Sequence, residues 1–335
     1  MRPEAGLTSS DLGKPVRTGP RLRVSIAKTL MRLRPAVPDT RWGELGEVFN
    51  RREFVSGSAA ERKRMMLEVA EARYQTEQRV PYSSYFGSID IRPFFAHRDV
   101  LDFGCSNGAL MRSLAEQFTP ASITGIDVSG ERLAAARVLF EHLAFDGRLV
   151  AYGGTRMPFA DRVFDTIYSF DVFEHVPDLR TSVQECYRVL RPGGHLLAVF
   201  PSFYHWTEHH LSLVTGTPFI HYLFGRRVLS HAYNELLDER GDEAYWYRRA
   251  PRDFETWERS NTINGMTKRR FRRMCAETGF ETAAAYPLAI FEIGRLRQRL
   301  PILRAIVPIF KGLGTLPILE EFFNHRVVMV LRRPA

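Results

Sequence analysis

Between residues 99 and 202, short apolar runs alternate with segments of helical period, a rhythm that predicts a parallel sheet with crossover helices. The strands it predicts are DVLDFG (99–104), SITGIDV (122–128), RLVAYG (148–153), FDTIYSF (164–170) and GHLLAVF (194–200). Between them, NGALMRSLAEQF places Leu110, Met111, Leu114 and Phe118 on one helix face. Ser129 caps a helix through ERLAAARVLF, and TSVQECYRVL stops at Arg191-Pro192-Gly193-Gly194. The layout is doubly wound α/β.

The flanks carry weaker patterns. SAAERKRMMLEVAEARYQ (58–75) reads as a helix of a cap, and RLRVSIAKTLMRLRP (21–35) as a basic helix around an apolar stripe. The latter suits a solvated arm or a membrane-surface segment. Residues 203–260 are rich in aromatics and histidine without a strand period. TKRRFRRMCAETGF (267–280) predicts a helix with Phe271, Met274 and Cys275 inward and Gly279 near its end. Two late strands follow, ETAAAYPL (281–288) and HRVVMVLRR (325–333), separated by an apolar stretch broken by Pro301, Pro308 and Pro317. The division this implies is a basic N-terminal arm over 1–57, a helical cap segment over 58–98 and a ligand-binding core over 99–202. A substrate lid insertion over 203–265 and a C-terminal part of the same fold over 266–335 complete it.

Charge narrows the class of partner. The chain of 335 residues has a formal net charge of +9. The segment 99–202 holds 9 basic and 13 acidic residues, so the centre of the chain is no polyanion-binding surface. Residues 1–41 (9 basic, 3 acidic) and 261–335 (13 and 5) carry the excess. The three cysteines, Cys105, Cys186 and Cys275, are far apart, which argues against a disulfide framework or a thiolate zinc site. No apolar run approaches the length of a membrane span, and the first residues lack the apolar core of a secretory signal. A cytoplasmic location, with membrane association as an option, is the expectation.

In an open parallel sheet, ligands bind outside the carboxyl ends of the strands. There the chain places Asp102, Gly104 and Gly108 after the first strand, where glycine lets backbone approach a ligand. Asp127 ends the second strand, 19 residues after Gly108, where a carboxylate can accept both hydroxyls of a ribose. The stretches VLDFGCSNG (100–108), GIDVS (125–129), MPFADRVFDTIYSFDVFEHVPD (157–178) and CYRVLRPGGHLLAVFPS (186–202) resemble class I S-adenosylmethionine-dependent methyltransferases, most nearly the small-molecule group called type 11. The resemblance implies a Rossmann-like, mostly parallel seven-stranded sheet whose last strand, HRVVMVLRR, is antiparallel, with an N-terminal helical segment and a lid after strand five. It implies S-adenosyl-L-methionine as cofactor, with Asp102, Gly104, Cys105, Ser106 and Gly108 along its methionine part and Asp127 and Val128 at the ribose. Phe170 and Asp171 fall beside it. Ser106 stands where the family has a glycine, a change the turn accepts if the backbone there avoids positive φ. Gly153 stands where the family has an adenine-binding carboxylate, which leaves adenine to the backbone of Gly154 and Thr155.

Methyl transfer needs a general base only if the acceptor must lose a proton. HWTEHH (205–210) emerges after the fifth strand on the acceptor side, so His205, His209 and His210, together with His175 at the strand-four turn, are the candidate catalytic residues. The same letters spell the H-x-x-E-H of a zinc hydrolase through His205, Glu208 and His209, or they pack in a lid. The reaction implied is methyl transfer to a small-molecule or lipid-linked acceptor, O-methylation slightly favoured. No metal and no nucleic-acid partner are expected, while peripheral membrane contact and a homodimer stay open. A zinc hydrolase or a non-catalytic cofactor-binding scaffold are the alternatives.

Overall fold

Strands buried on both faces need apolar residues at successive positions, and the central strands have them. In the computed structural model these segments form one seven-stranded sheet. The structure describes residues 18–35, 52–87, 89–201, 203–204, 211, 214–239, 266–289, 303–314, 316 and 319–335. The strands are β1 (Asp99–Phe103), β2 (Ser122–Asp127), β3 (Arg148–Ala151), β4 (Phe164–Phe170), β5 (Leu190–Pro201), β6 (Glu281–Ala289) and β7 (Asn324–Arg332), in the order β3-β2-β1-β4-β5-β7-β6. The β1–β2, β1–β4, β2–β3 and β4–β5 pairs are parallel, whereas β7 runs antiparallel to both β5 and β6. The expected antiparallel last strand is therefore present.

The helices are α1 (Thr18–Leu33), α2 (Ala59–Arg79), α3 (Ala109–Phe118), α4 (Gly130–His142), α5 (Leu179–Val189), α6 (Arg226–Glu239), α7 (Lys268–Thr278) and α8 (Leu303–Gly314). On one sheet face Leu101, Phe103, Ile167, Leu196 and Phe200 meet α5 and α7 through Val183, Cys186, Phe271 and Met274. On the other, Val100, Tyr168, Leu197 and Val199 meet α3 and α4 through Met111, Leu114, Leu139 and Phe140. The alternation of Val100 with Leu101 and of Leu196 with Leu197 is the period-2 side-chain geometry of a strand. Phe271 is fully buried between Phe173 and Phe200, with ring centroids 5.0 Å from each.

Three expectations need correcting. The helix at 58–75 is no cap: α2, started by a Ser58–Glu61 capping box, lies in the same layer as α3 and α4. Lys63 pairs with Glu141 at 2.9 Å, His142 with Glu71 at 2.7 Å, and Gln78 donates to Glu116. The basic segment 21–35 is no solvated arm either. Val24, Ala27 and Met31 of α1 are buried against Leu229, Ala232, Tyr233 and Leu236 of α6, a helix the aromatic-rich stretch had not suggested. Lys28 and Arg32 pair with Glu239 across the same contact.

Finally, β5 begins at Leu190 and carries Arg191-Pro192-Gly193-Gly194 as an irregularity, because Phe164 pairs with Leu190 while Thr166 pairs with His195. Arg333 fixes that excursion. Its N–H donates to Gly194 O at 2.8 Å, and its guanidinium donates to the carbonyls of Tyr187 and Leu190 at the end of α5. Phe271→Ala is expected to lower stability by about 3–5 kcal/mol in denaturant unfolding, as removal of a fully buried aromatic does elsewhere. A loss below about 1 kcal/mol would mean that the ring does not bridge the sheet and its helices.

Candidate active site

The carboxyl ends of β1, β2 and β4 meet in one place because the turn after β1 is tied to β2. The N–H groups of Gly104 and Cys105 both donate to Ile126 O at 2.9 Å. Ser106 N–H donates to Asp127 Oδ2 at 2.9 Å and Ser129 N–H to Asp127 Oδ1 at 2.8 Å. The buried Asp127 thus orients the turn and the start of α4, whose N-cap Ser129 in turn accepts from Arg132 N–H. A carboxylate has about four acceptor directions, so each oxygen keeps one for a further donor.

Two glycines are required here. Gly104 has φ +86°, and a Cβ on it would lie 2.4 Å from Val172 Cγ2; Gly108 has φ +73°, and its Cβ would lie 2.5 Å from Phe140. The condition on which the turn would accept Ser106, a backbone without positive φ, is not met, for its φ is +49°. Its hydrogen bond to Asp127 holds it in that left-handed region, which costs a non-glycine residue about 1–2 kcal/mol.

Beneath the turn, Asp102 is buried and accepts a 2.7 Å hydrogen bond from Tyr168 Oη. Burial pushes its carboxyl up to about 8, against the opposing effect of that hydrogen bond. Cys105 is also buried, and burial raises its thiol. Val128, directly after Asp127, leaves its apolar side chain exposed, 3.7 Å from where a Cβ on Gly154 would stand. Gly153 has open space at its own Cβ position.

At the end of β4, Phe170 packs edge-on to Tyr85 at 4.9 Å, and Asp171 adopts φ +55°. Asp171 Oδ2 accepts from Arg326 Nη2 at 3.1 Å. Close by, Glu77 is buried and ion-paired to Arg73 at 2.6 Å; burial raises its carboxyl against the pull of Arg73. Burial, then the Asp171 charge, pushes Tyr85 up to about 12. Composition and motif spacing did not single out Arg73, Glu77, Tyr85 or Arg326. The only available signal was the i,i+4 spacing of Arg73 and Glu77.

His175 lies in the short helix Phe173–His175, with Nε2 3.8 Å from Oε1 of the buried Glu174. His205, Glu208, His209 and His210 lie outside the described residues, as do Tyr245, Tyr247 and Trp257 of the expected lid. What is described just past β5 is aromatic: Tyr204 stacks on Phe322 at 5.5 Å and on Tyr222 at 6.0 Å, and Phe203 faces His221 at 6.0 Å. Burial lowers His221 to about 4, which keeps it neutral.

The raised Asp102 carboxyl has a signed consequence. Its folded-state pKa lies above the ordinary value of 3.8, so the folded protein holds a proton that the unfolded chain has lost between about pH 4 and 8. Stability is full below that window and falls across it, by about 1.4 kcal/mol per pH unit. Asp102→Asn removes the titration. The stability of the variant relative to wild type should therefore rise steadily from pH 4 to 8 in urea unfolding, and a flat difference would show Asp102 ionised.

Residues 101–198 match the family model described as "Methyltransferase domain". The chain is 36% identical over 111 residues to a ubiquinone biosynthesis O-methyltransferase of Pseudomonas aeruginosa (strain LESB58), covering 32% of this chain and 45% of that one. It is 34% identical over 137 residues to malonyl-[acyl-carrier protein] O-methyltransferase 1 of Coxiella burnetii, covering 41% and 45%. The chain thus spans under half the length of these relatives. A solved S-adenosylmethionine dependent methyltransferase from Mesorhizobium loti superposes with a TM-score of 0.46 at 16% identity, over 72% of this chain and 93% of that one. The match over residues 101–198, the stretch that carries the glycine turn and the strand-two aspartate, makes this segment similar to a methyltransferase domain.

Proposed function

We propose that the protein is a cytoplasmic methyltransferase that moves the methyl group of S-adenosyl-L-methionine to a hydroxyl or carboxyl oxygen of a small-molecule or lipid-linked acceptor. The observation that carries this reading is Asp127, which holds the glycine turn through one carboxylate oxygen and the start of α4 through the other and keeps acceptor capacity for a diol. The residues present fit the cofactor. The exposed Val128 and the open space at Gly153 suit one face of a planar base, with Gly154 and Thr155 beside it. Gly104 and Gly108, with Cys105 and Ser106 between them, bring backbone rather than side chains to the remainder. When bound, the cofactor supplies an activated methyl group on a sulfonium, whose departure leaves a neutral thioether.

The chain's own part is alignment and proton handling. Phe170, Val172 and Tyr85 form an apolar wall at the end of β4, which excludes water from the side where the acceptor approaches. Asp171, fixed by Arg326, and Glu77, fixed by Arg73, are carboxylates from which an acceptor hydroxyl can take orientation. His175 is a proton acceptor at the same turn, and His205, His209 and His210 are the remaining candidates. The stacked Tyr204, Tyr222 and Phe322 favour an acceptor with a ring or an acyl chain. Names of the relatives, a ubiquinone biosynthesis O-methyltransferase and a malonyl-[acyl-carrier protein] O-methyltransferase, support oxygen as the acceptor atom. The free cysteines Cys105, Cys186 and Cys275, all buried, support a reducing compartment.

The first test is calorimetric titration of the protein with S-adenosylmethionine and its demethylated product. Binding is expected, Asp127→Ala should weaken it at least tenfold with an unchanged circular dichroism spectrum, and unaltered affinity would remove the ribose role. For turnover, release of demethylated cofactor with hydroxyl-, carboxyl- and amine-bearing acceptors is the measurement. Single substitutions of His175, His205, His209 and His210 by Ala should lower kcat at those residues that handle the proton while cofactor binding is kept. If all four variants turn over like wild type, no histidine among them is the base.

A further inference from the structure

Helix α1 is apolar on two opposite sides, and only one of them is used inside the protein. At about 100° per residue, positions 24, 27 and 31 share one line along the helix while 22, 26 and 33 share the line diametrically across it. Val24, Ala27 and Met31 are 5%, 0% and 0% exposed, packed on α6. Leu22, Ile26 and Leu33 are 66%, 45% and 72% exposed. A single exposed leucine means little, but three aligned on one helical line form a stripe.

The charges around that stripe have one sign. Residues 18–35 contain Arg21, Arg23, Lys28, Arg32 and Arg34 and no acidic residue. The helical wheel puts Arg21 and Arg32 on one flank of the stripe and Arg23 on the other, with Arg34 following past the helix end. Lys28 and Arg32 lean inward to Glu235 and Glu239 of α6, which locks the helix onto its support. Thr215 Oγ1 donates to Met31 O at 2.8 Å and Gly216 N–H to Arg34 O at 2.8 Å, so the end of α1 is held as well. The stripe is therefore presented on a rigid platform rather than on a free arm.

We propose that this outer face of α1 docks the protein on a lipid surface carrying anionic headgroups, with Leu22, Ile26 and Leu33 entering the acyl boundary and Arg21, Arg23 and Arg34 at headgroup level. A narrow apolar line between arginines matches an interfacial helix lying in the membrane plane, and long arginine stems reach outward while their apolar parts stay in contact. A second copy of this chain is a poor occupant. A two-fold contact would set the same stripe against itself and bring the arginines of one copy against those of the other. Among the described residues no helix is long and apolar enough to cross a membrane, so the contact is peripheral. Helix α6 follows β5 in the chain, and α1 packs on α6. The inference stands on α1 itself and not on the methyl-transfer reading.

The test is co-sedimentation of the full chain with vesicles of phosphatidylcholine alone and of phosphatidylcholine containing phosphatidylglycerol. Binding is expected only with phosphatidylglycerol, and it should weaken as salt rises. The Leu22→Ser, Ile26→Ser, Leu33→Ser triple variant changes exposed positions only and should keep the wild-type unfolding midpoint while partitioning at least tenfold less. Arg21→Glu with Arg23→Glu should lower partitioning in the same way. Wild-type protein that stays in the supernatant with phosphatidylglycerol vesicles overturns the proposal, as does a triple variant that binds like wild type. Wild type that fails to bind vesicles but is a dimer by light scattering, and becomes a monomer on the triple substitution, reassigns the stripe to self-association and equally overturns it.

Discussion

Four backbone N–H groups, those of Gly104, Cys105, Ser106 and Ser129, depend on the last two residues of β2. Ile126 takes two of them through its carbonyl and Asp127 takes two through its carboxylate. Hydrogen bonds to a carboxylate are shorter and stronger than neutral ones, and the two at Asp127 are partly buried. They hold Ser106 in a left-handed conformation that it would not adopt alone, and they set where α3 and α4 begin. With that turn in place, Val172 can close over Gly104 and Phe140 over Gly108, at distances no side chain on either glycine would allow.

The support underneath is apolar and mostly aromatic. Tyr82, Phe86, Phe95 and Tyr168 pack on one sheet face, and Phe103, Phe173, Phe200 and Phe271 on the other. Into this interior the chain inserts Asp102, whose burial raises its carboxyl against the opposing hydrogen bond from Tyr168 Oη. Glu77, buried in α2, is paired with Arg73, in keeping with the high cost of an unpaired buried charge, and the half-buried Asp171 after β4 is paired with Arg326. Raised carboxyls such as those of Asp102 and Glu77 are a pattern expected where a polar ligand is handled.

Much of this was readable from residue order. The strand positions follow from apolar runs, and Ser129, Thr267 and Gly279 occupy the caps that their chemistry predicts. α6 was also within reach, since Leu229, Ala232, Tyr233, Leu236 and Leu237 repeat at helical spacing, but the aromatic and histidine content around it hid the period. The bulge in β5 was not readable. Pro192-Gly193-Gly194 signals a turn, and only Arg333, 139 residues beyond Gly194, converts that turn into a continuation of the strand. Arg73 and Glu77 share a helix at i,i+4 spacing, but nothing local brings Tyr85, from a short helix, or Arg326, from the last strand, to them.

By itself, the sequence determined the elements, the glycine turn and the aspartate that ends β2, because period, capping and backbone freedom are local properties of a chain. Only the tertiary structure decided that α2 joins α3 and α4 in one layer and that α1 rests on α6 with a second apolar line turned outward. The same holds for the positive φ of Ser106 and for the protonation of Asp102. Each of these is set by groups distant in sequence, through burial and through hydrogen bonds that exist only once the sheet has formed.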